Sequence, residues 1–460
     1  MTCSHFRDEM LNVSGRIRLG QAAALLCAGG LAWLAALWLG QSRWLRTPID
    51  FVAFYCGGRT TALGFDPYLA GPLRACENVA AGSVGVHVAR YLVVPAPLPP
   101  YALALLAPLG LLPFATARTL WFAALLLASG ATVVLLRRLA RLPLPLVALC
   151  VLSADAFPSL VIGQIVPLVV ALLAGAAVAL QAGRPRLAAV LVACTLAEPH
   201  VGLPACLSLF VWERRARTPL LAALAALGLV SLAGGGIARS LEYGFAVLPA
   251  HARAEGLEFS GQYSLSALLA QLGVANGLAL ELGSLSYLAM TALGVWAAGR
   301  LADLLEEPGT LVLAAPAFAL LGGIHVHIHQ MAVALPLALL LLSRCRSQRL
   351  VLALALGLLA VPWQTLVDYG LIPTPPPLGS RASAEATMAR VREDGRLAED
   401  VWGIWVRSGV HDGRTPLGQA AVKLPTWLAL GAILATAAGL SARRGRRRSV
   451  TQPERLAAAR

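Results

Sequence analysis

Residues 115–141 read ATARTLWFAALLLASGATVVLLRRLAR. The 22 residues 115–136 carry one charge, Arg118, and Arg137, Arg138 and Arg141 then end the run. A helix needs about 20 mostly apolar residues to cross the hydrocarbon core of a bilayer, so this stretch predicts a membrane span closed by a basic cluster. The composition extends that reading to the whole chain. Of 460 residues, 58% are apolar and 13% charged, against roughly 45–50% and about 25% in soluble domains, and the mean hydropathy is +0.72. Disordered, collagenous and small disulfide-rich classes are excluded on the same ground. The expected fold class is an all-α polytopic membrane protein.

Working outward, further runs of this kind lie at 19–40, 97–113, 143–158, 160–181, 186–211, 218–238, 277–299, 310–324, 330–343, 349–367 and 424–441. Segment 19–40 is span-length and lacks a small-residue cleavage pattern, so it is expected to be an uncleaved first span rather than a signal peptide. Twelve spans place both ends on one side, and Arg443, Arg444, Arg446, Arg447 and Arg448 make that side cytoplasmic. The chain is then one integral domain, 1–460, with external loops at 41–96, 239–276 and 368–423 and a basic tail at 442–460. The expected localisation is the plasma (inner) membrane, multi-pass, with the site facing outside. Clusters 214–217 and 344–349 fall inside, as expected. Strict counting puts Arg137–Arg141 and Arg184–Arg186 outside, so either two segments are re-entrant or these arginines bind an anion there.

Net charge is +14, and Lys423 is the only lysine beside 36 arginines. In a soluble chain such a balance suggests nucleic acid; in a polytopic one it reads as orientation charge, and no nucleic-acid partner is expected.

The polar residues at span ends carry the candidate chemistry. Asp50, between Ile49 and Phe51 after the first span, is placed for a general base, with a helix cap or a solvated loop acid as its plain alternative. Arg59 could clamp a phosphate or be an exposed loop charge. Asp66-Pro67-Tyr68 reads as a turn. Cys56 and Cys76 share the first loop and could pair or stay free; no zinc spacing occurs in the chain. His325, His327 and His329 alternate inside an apolar stretch. In a helix only His325 and His329 would share a face, and one histidine acting by hydrogen bond or proton transfer fits better than a metal. Gln164 after Gly163, Glu198 before Pro199-His200, and Gln262-Tyr263-Ser264 interrupt or flank other spans.

In order, Asp50-Phe51 with Tyr55, Gly58-Arg59, Asp66-Pro67-Tyr68, Pro99-Pro100 with Pro108-Leu109, Gly163-Gln164, Pro199, Ser264-Leu265, and His329 seven residues before Pro336 resemble glycosyltransferase family 87. This is a GT-C type of membrane enzyme that uses polyprenyl-phosphate sugars. The resemblance implies a GT-C-like helical bundle and an inverting, mannosyltransferase-like transfer. Its partners would be a polyprenyl-phosphate sugar donor, a lipid or glycan acceptor and membrane lipids, with no cofactor or metal. It also implies Asp50 as catalytic base and His329 near the leaving phosphate or assisting the base. Arg59, Tyr55, Asp66, Gln164, His325, His327, Glu198 and Ser264 would be substrate-binding. Glu198 stands where the family commonly has lysine, and Leu98 where an aromatic usually precedes the double proline. A transporter or flippase of lipid-linked sugars or anionic solutes, with Glu198 and the histidines as a proton relay, is the rival reading. A catalytically inactive assembly partner is a third.

Overall fold

Proline and glycine decide where the helices start and stop. In the computed structural model, which describes residues 48–83, 93, 94, 96–257, 262–361, 363 and 416–457, Pro100, Pro145, Pro158, Pro167, Pro185, Pro199 and Pro336 each sit in a first helical turn. There the missing N–H costs nothing and φ is already set. The segment 19–40, most of the third external loop with Trp402 and Trp405, and Cys3 and Cys27 lie outside the described residues.

The helices are α1 (Ile49–Ala62), α2 (Ala70–Ser83), α3 (Pro100–Gly110), α4 (Phe114–Ala140), α5 (Leu144–Val151), α6 (Phe157–Ile162), α7 (Val166–Gln181), α8 (Pro185–Cys194) and α9 (Pro199–Trp212). They continue with α10 (Arg217–Glu242), α11 (Leu248–Glu255), α12 (Leu265–Gln271), α13 (Asn276–Leu305), α14 (Thr310–Gly322), α15 (Leu335–Arg344), α16 (Arg349–Ala360) and α17 (Pro416–Ala457). A π turn joins α5 to α6, and a 3-10 segment, Ile328–Ala334, leads into α15. No strand occurs among the described residues.

Among the described residues, four stretches are long and apolar enough to cross a membrane: Phe114–Ala140, Arg214–Arg253, Asn276–Leu305 and Val422–Ala442. The pair Ile328–Arg344 and Arg346–Ala360, bent by 115°, makes a fifth if taken as one broken span. The expected count of twelve is not reached among the described residues, where Leu144–Leu160, Val166–Gln181 and Thr310–Gly322 are shorter apolar helices and two further expected spans have another form. Segment 97–113 yields only the 11-residue α3, which lies against α1: a Cβ on Gly58 would fall 2.7 Å from Leu106 O, and one on Gly110 would fall 2.3 Å from Arg59 N. Segment 186–211 is a helical hairpin, α8 and α9, reversing at Glu198. Cys206 Sγ reaches Val192 O at 3.7 Å across it, and a Cβ on Gly202 would sit 2.6 Å from Leu196 N.

The hairpin resolves the arginine conflict. Gln181 Nε2 and Arg344 Nη2 both donate to Glu307 Oε2, at 3.1 and 2.7 Å, while Trp212 Nε1 donates to Val295 O at 2.7 Å and packs on Gly299. Helices α4 and α7 run parallel, Trp121 meeting Gly163 and Leu135 meeting Gly175. The clusters 137–141, 184–186, 214–217 and 344–349 therefore share one end of the molecule. The turns at Gly163, Glu198 and Gly323 share the other.

A large core fills the bundle, with Leu173, Leu209, Leu301 and Phe318 among its buried members. A second core, around Phe51, Leu73, Leu103 and Trp121, joins α1–α3 to the end holding those turns.

Candidate functional site

Asp50 stands in the first turn of α1, where a carboxylate is favoured by the helix N-terminus. Its neighbours fix it tightly. Phe51 is fully buried and stacks on Trp121, ring centroids 5.6 Å apart, while Trp121 Nε1 donates to Gly163 O at 2.8 Å. Gly163 ends α6 at φ +78°, and a Cβ there would lie 2.6 Å from Phe51 Cβ and 2.9 Å from Pro48 Cβ. Only glycine satisfies both that conformation and that approach. The turn then directs Gln164 Nε2 onto Asp50 Oδ2 at 2.8 Å, and Gln164 Oε1 accepts from Ile165 N. The side chain proposed as base is thus oriented by a residue 114 positions away.

Glu198, at the tip of the α8–α9 hairpin, is buried and lies within electrostatic range of Asp50. Its Oε2 accepts from Gln330 Nε2 at 3.3 Å and faces His200 Nδ1 at 3.6 Å. Gln330 Oε1 accepts in turn from His327 N. The histidines form one continuous group: His327 stacks on His329 (5.3 Å), His325 meets His327 (4.7 Å), and His251 from α11 and His200 from α9 approach His325 at 4.7 and 6.2 Å. Segment 323–327 is not helical, and His325 and His327 both turn toward Gln262. The helical pairing of His325 with His329 does not occur. His329, ranked first from sequence, is the most deeply buried of the three, while His325 and His327 are half-buried. Among the described residues, no three His, Cys, Asp or Glu side chains are grouped as a metal would need.

The other expected site residues take local partners. Tyr55 OH donates to Leu112 O at 2.8 Å. Arg59 Nη1 donates to Gly110 O at 3.0 Å, nine residues along α1 from Asp50, or about 13 Å at 1.5 Å per residue. Asp66 Oδ1 accepts from Tyr68 N, closing the expected turn, and Ser264 caps α12 by accepting from Ala267 N at 3.2 Å. Cys56 and Cys76 are joined in a disulfide, Cα atoms 5.6 Å apart.

Outside the bundle, burial pushes the Glu77 carboxyl well above the usual range, although Val94 N donates to Oε2 at 2.9 Å and Arg74 lies near.

Five residues of the constellation were not selected from sequence: His200, His251, Gln262, Gln330 and Lys423. The available signal was proximity to polar interruptions, since His200 follows Glu198 by two, Gln330 follows His329, and Gln262 opens a quoted motif. Lys423, fully buried, donates from Nζ to Gln262 O and lies 4.7 Å from the Tyr263 ring centroid.

Beside the site, an apolar crevice of about 480 Å³ opens between α4 and α7. Its lining includes Leu127, Ala131, Leu168 and Leu172. Ile165 and Ala197, the chain neighbours of Gln164 and Glu198, also line it.

No curated protein and no solved structure gives a significant match to this chain. The family model described as "Glycosyltransferase family 87" matches residues 98–324. The match contains Gln164, Glu198 and Ser264, begins after Asp50 and stops at the residue before His325. Over residues 98–324 the chain is therefore similar to glycosyltransferase family 87, a likeness that indicates a glycosyltransferase and agrees with the apolar helices of a membrane protein.

Proposed function

We propose that the protein is an inverting transferase that moves a sugar, mannose or another hexose or pentose, from a polyprenyl monophosphate to a lipid or glycan acceptor. The work is done at the external face of the plasma (inner) membrane. The observation that carries this reading is Asp50, held by Gln164 at 2.8 Å beside Glu198 and the histidines. The site lies at the molecular end opposite the arginine clusters, which favour the cytoplasm. The adjoining apolar crevice suits a lipid-linked donor, its tail among Leu127, Leu168 and Leu172 and its head toward Glu198.

In the reaction, the acceptor oxygen attacks the anomeric carbon while the carbon–oxygen bond to phosphate breaks. The acceptor proton passes to Asp50, and the electron pair leaves on the lipid phosphate. Gln164, donating to one carboxylate oxygen, fixes the orientation of the carboxylate that takes the proton. The leaving phosphate gains charge as the bond breaks, so donors directed at it act most strongly in the transition state. The histidine group supplies these. Arg59, committed to Gly110 O, holds α1 to α3 in this reading.

The test is transfer from a polyprenyl-phosphate sugar in membranes. Asp50→Asn keeps an acceptor for the Gln164 amide and is expected to lower turnover by about 10²–10⁴-fold. Full activity in that variant overturns the base. Movement of intact donor across vesicles without a glycosidic product favours the transporter reading instead.

A further inference from the structure

The geometry points to Gln262 as a positioning residue that fixes the tautomer of His325, so that His325 meets the phosphate of the donor as a neutral N–H donor. Resting on the transferase reading for the identity of that phosphate, the argument otherwise needs only hydrogen-bond chemistry. Gln262 is fully buried, and the orientation of its amide is set by the backbone: Val326 N–H donates to Oε1 at 2.7 Å. The other end of the amide must therefore be the NH₂ group. That nitrogen lies 3.2 Å from His325 Nδ1 and 3.0 Å from His327 Nε2, one hydrogen for each ring. An NH₂ group cannot accept, so His325 Nδ1 presents its lone pair and its ring proton resides on Nε2. Protonating Nδ1 would set N–H against N–H.

The clamp is itself held from three sides. Tyr263 N donates to Val326 O at 2.6 Å, Trp427 Nε1 donates to Tyr263 O at 3.2 Å, and Lys423 Nζ donates to Gln262 O. These contacts keep segments 262–263 and 325–327 side by side, and the Val326 N–H bond to Oε1 holds the amide itself.

Among the described residues, several titratable groups face His325. His251 faces it from α11, where Arg253 is exposed; His200, with Glu198 at 3.6 Å, faces it from α9; His327 and then His329 follow on its own segment. Asp50 lies beyond Glu198, and Lys423 lies behind Gln262. A phosphate arriving near two carboxylates is repelled by both, and a fixed N–H donor offsets that repulsion without waiting for a proton. The N–H donor is present without proton uptake in the histidine range, so its effect is read as the affinity of a variant relative to the native protein at the same pH, the second ionisation of the phosphate being common to both.

Gln262→Glu is the discriminating variant, being isosteric and still able to accept from Val326 N. Its second oxygen can only accept from His325 Nδ1–H, which turns the Nε2 lone pair outward. Binding of farnesyl phosphate and of inorganic phosphate to the full chain in detergent is measured at several pH values, with [¹⁵N]histidine spectra assigned through His325→Gln. The native protein is expected to show Nε2–H at His325, and its affinity at each pH is the reference against which the variant is read. Gln262→Glu is expected to bind at least about tenfold more weakly at about pH 8 and to recover toward about pH 5.5 as His325 becomes doubly protonated. Recovery with farnesyl phosphate alone assigns the subsite to a lipid head group; recovery with both assigns it to phosphate as such. Native Nδ1–H at His325, or a variant that binds like native at about pH 8, overturns the proposal. Absence of sugar transfer by native protein that shows the expected tautomer and binding removes the transferase reading and leaves the clamp in place.

Discussion

Asp50 and Glu77 are two acids near the same end of the molecule with opposite surroundings. Asp50 is half-buried and receives a side-chain amide, whereas Glu77 is buried against Val94 N. Because burial raises the folded carboxyl of Glu77 above its unfolded value, its contribution to stability is complete at acid pH and declines as pH rises through the folded value. Melting in detergent should show stability falling with pH by at most about 1.4 kcal/mol per unit in that window. Glu77→Gln, which still accepts from Val94 N, should remove the slope; an unchanged slope would assign it elsewhere. Residue type and order were enough to single out Asp50, Gln164, Glu198 and the three histidines. Their partners were not readable, because Gln164 reaches Asp50 across 114 residues and Gln330 reaches Glu198 across 132. Sequence order ranked His329 above His325 and His327, but how the three rings are arranged depends on segment 323–327 being non-helical, which the order does not reveal.

At the level of elements, the turn after α6 does the aligning. Gly163→Ala introduces a Cβ at φ +78° and into Phe51, so it should cost at least about 2 kcal/mol. It should also depress transfer, since Pro48 and Phe51 flank Asp50. A calorimetric scan paired with the transfer assay checks both, and a native-like melt would show that the turn adapts. The disulfide acts on the same region from outside, tying α1 to α2. Closing a loop of this size is worth about 3 kcal/mol, so Cys56→Ser with Cys76→Ser should lower the melting temperature measurably under oxidising conditions. The apolar runs predicted most helices, and Pro and Gly marked their ends. Hydropathy could not show that 97–113 packs on α1 or that 186–211 doubles back, because a short apolar helix buried in protein and one crossing lipid look alike in composition.

Over the whole molecule, the arginines divide by end. With α8–α9 as a hairpin and α3 set against α1, clusters that strict span counting assigned to opposite faces come together. In intact cells or oriented vesicles, single cysteines placed at Arg184 and Arg346 in a background lacking exposed thiols should react from one side, and a cysteine at Asp66 from the other. Labelling of Arg184 and Asp66 positions from the same side would refute this arrangement.

Lys423 has a practical consequence. The chain carries no other lysine, and this one is sealed between the Gln262 carbonyl and the Tyr263 ring. An amine-directed reagent should therefore leave the native side chain untouched and mark it only when the last helix parts from segment 262–263. Read apart from the reaction of the α-amine, Lys423 is a chemical reporter of whether the histidine end of the bundle is assembled.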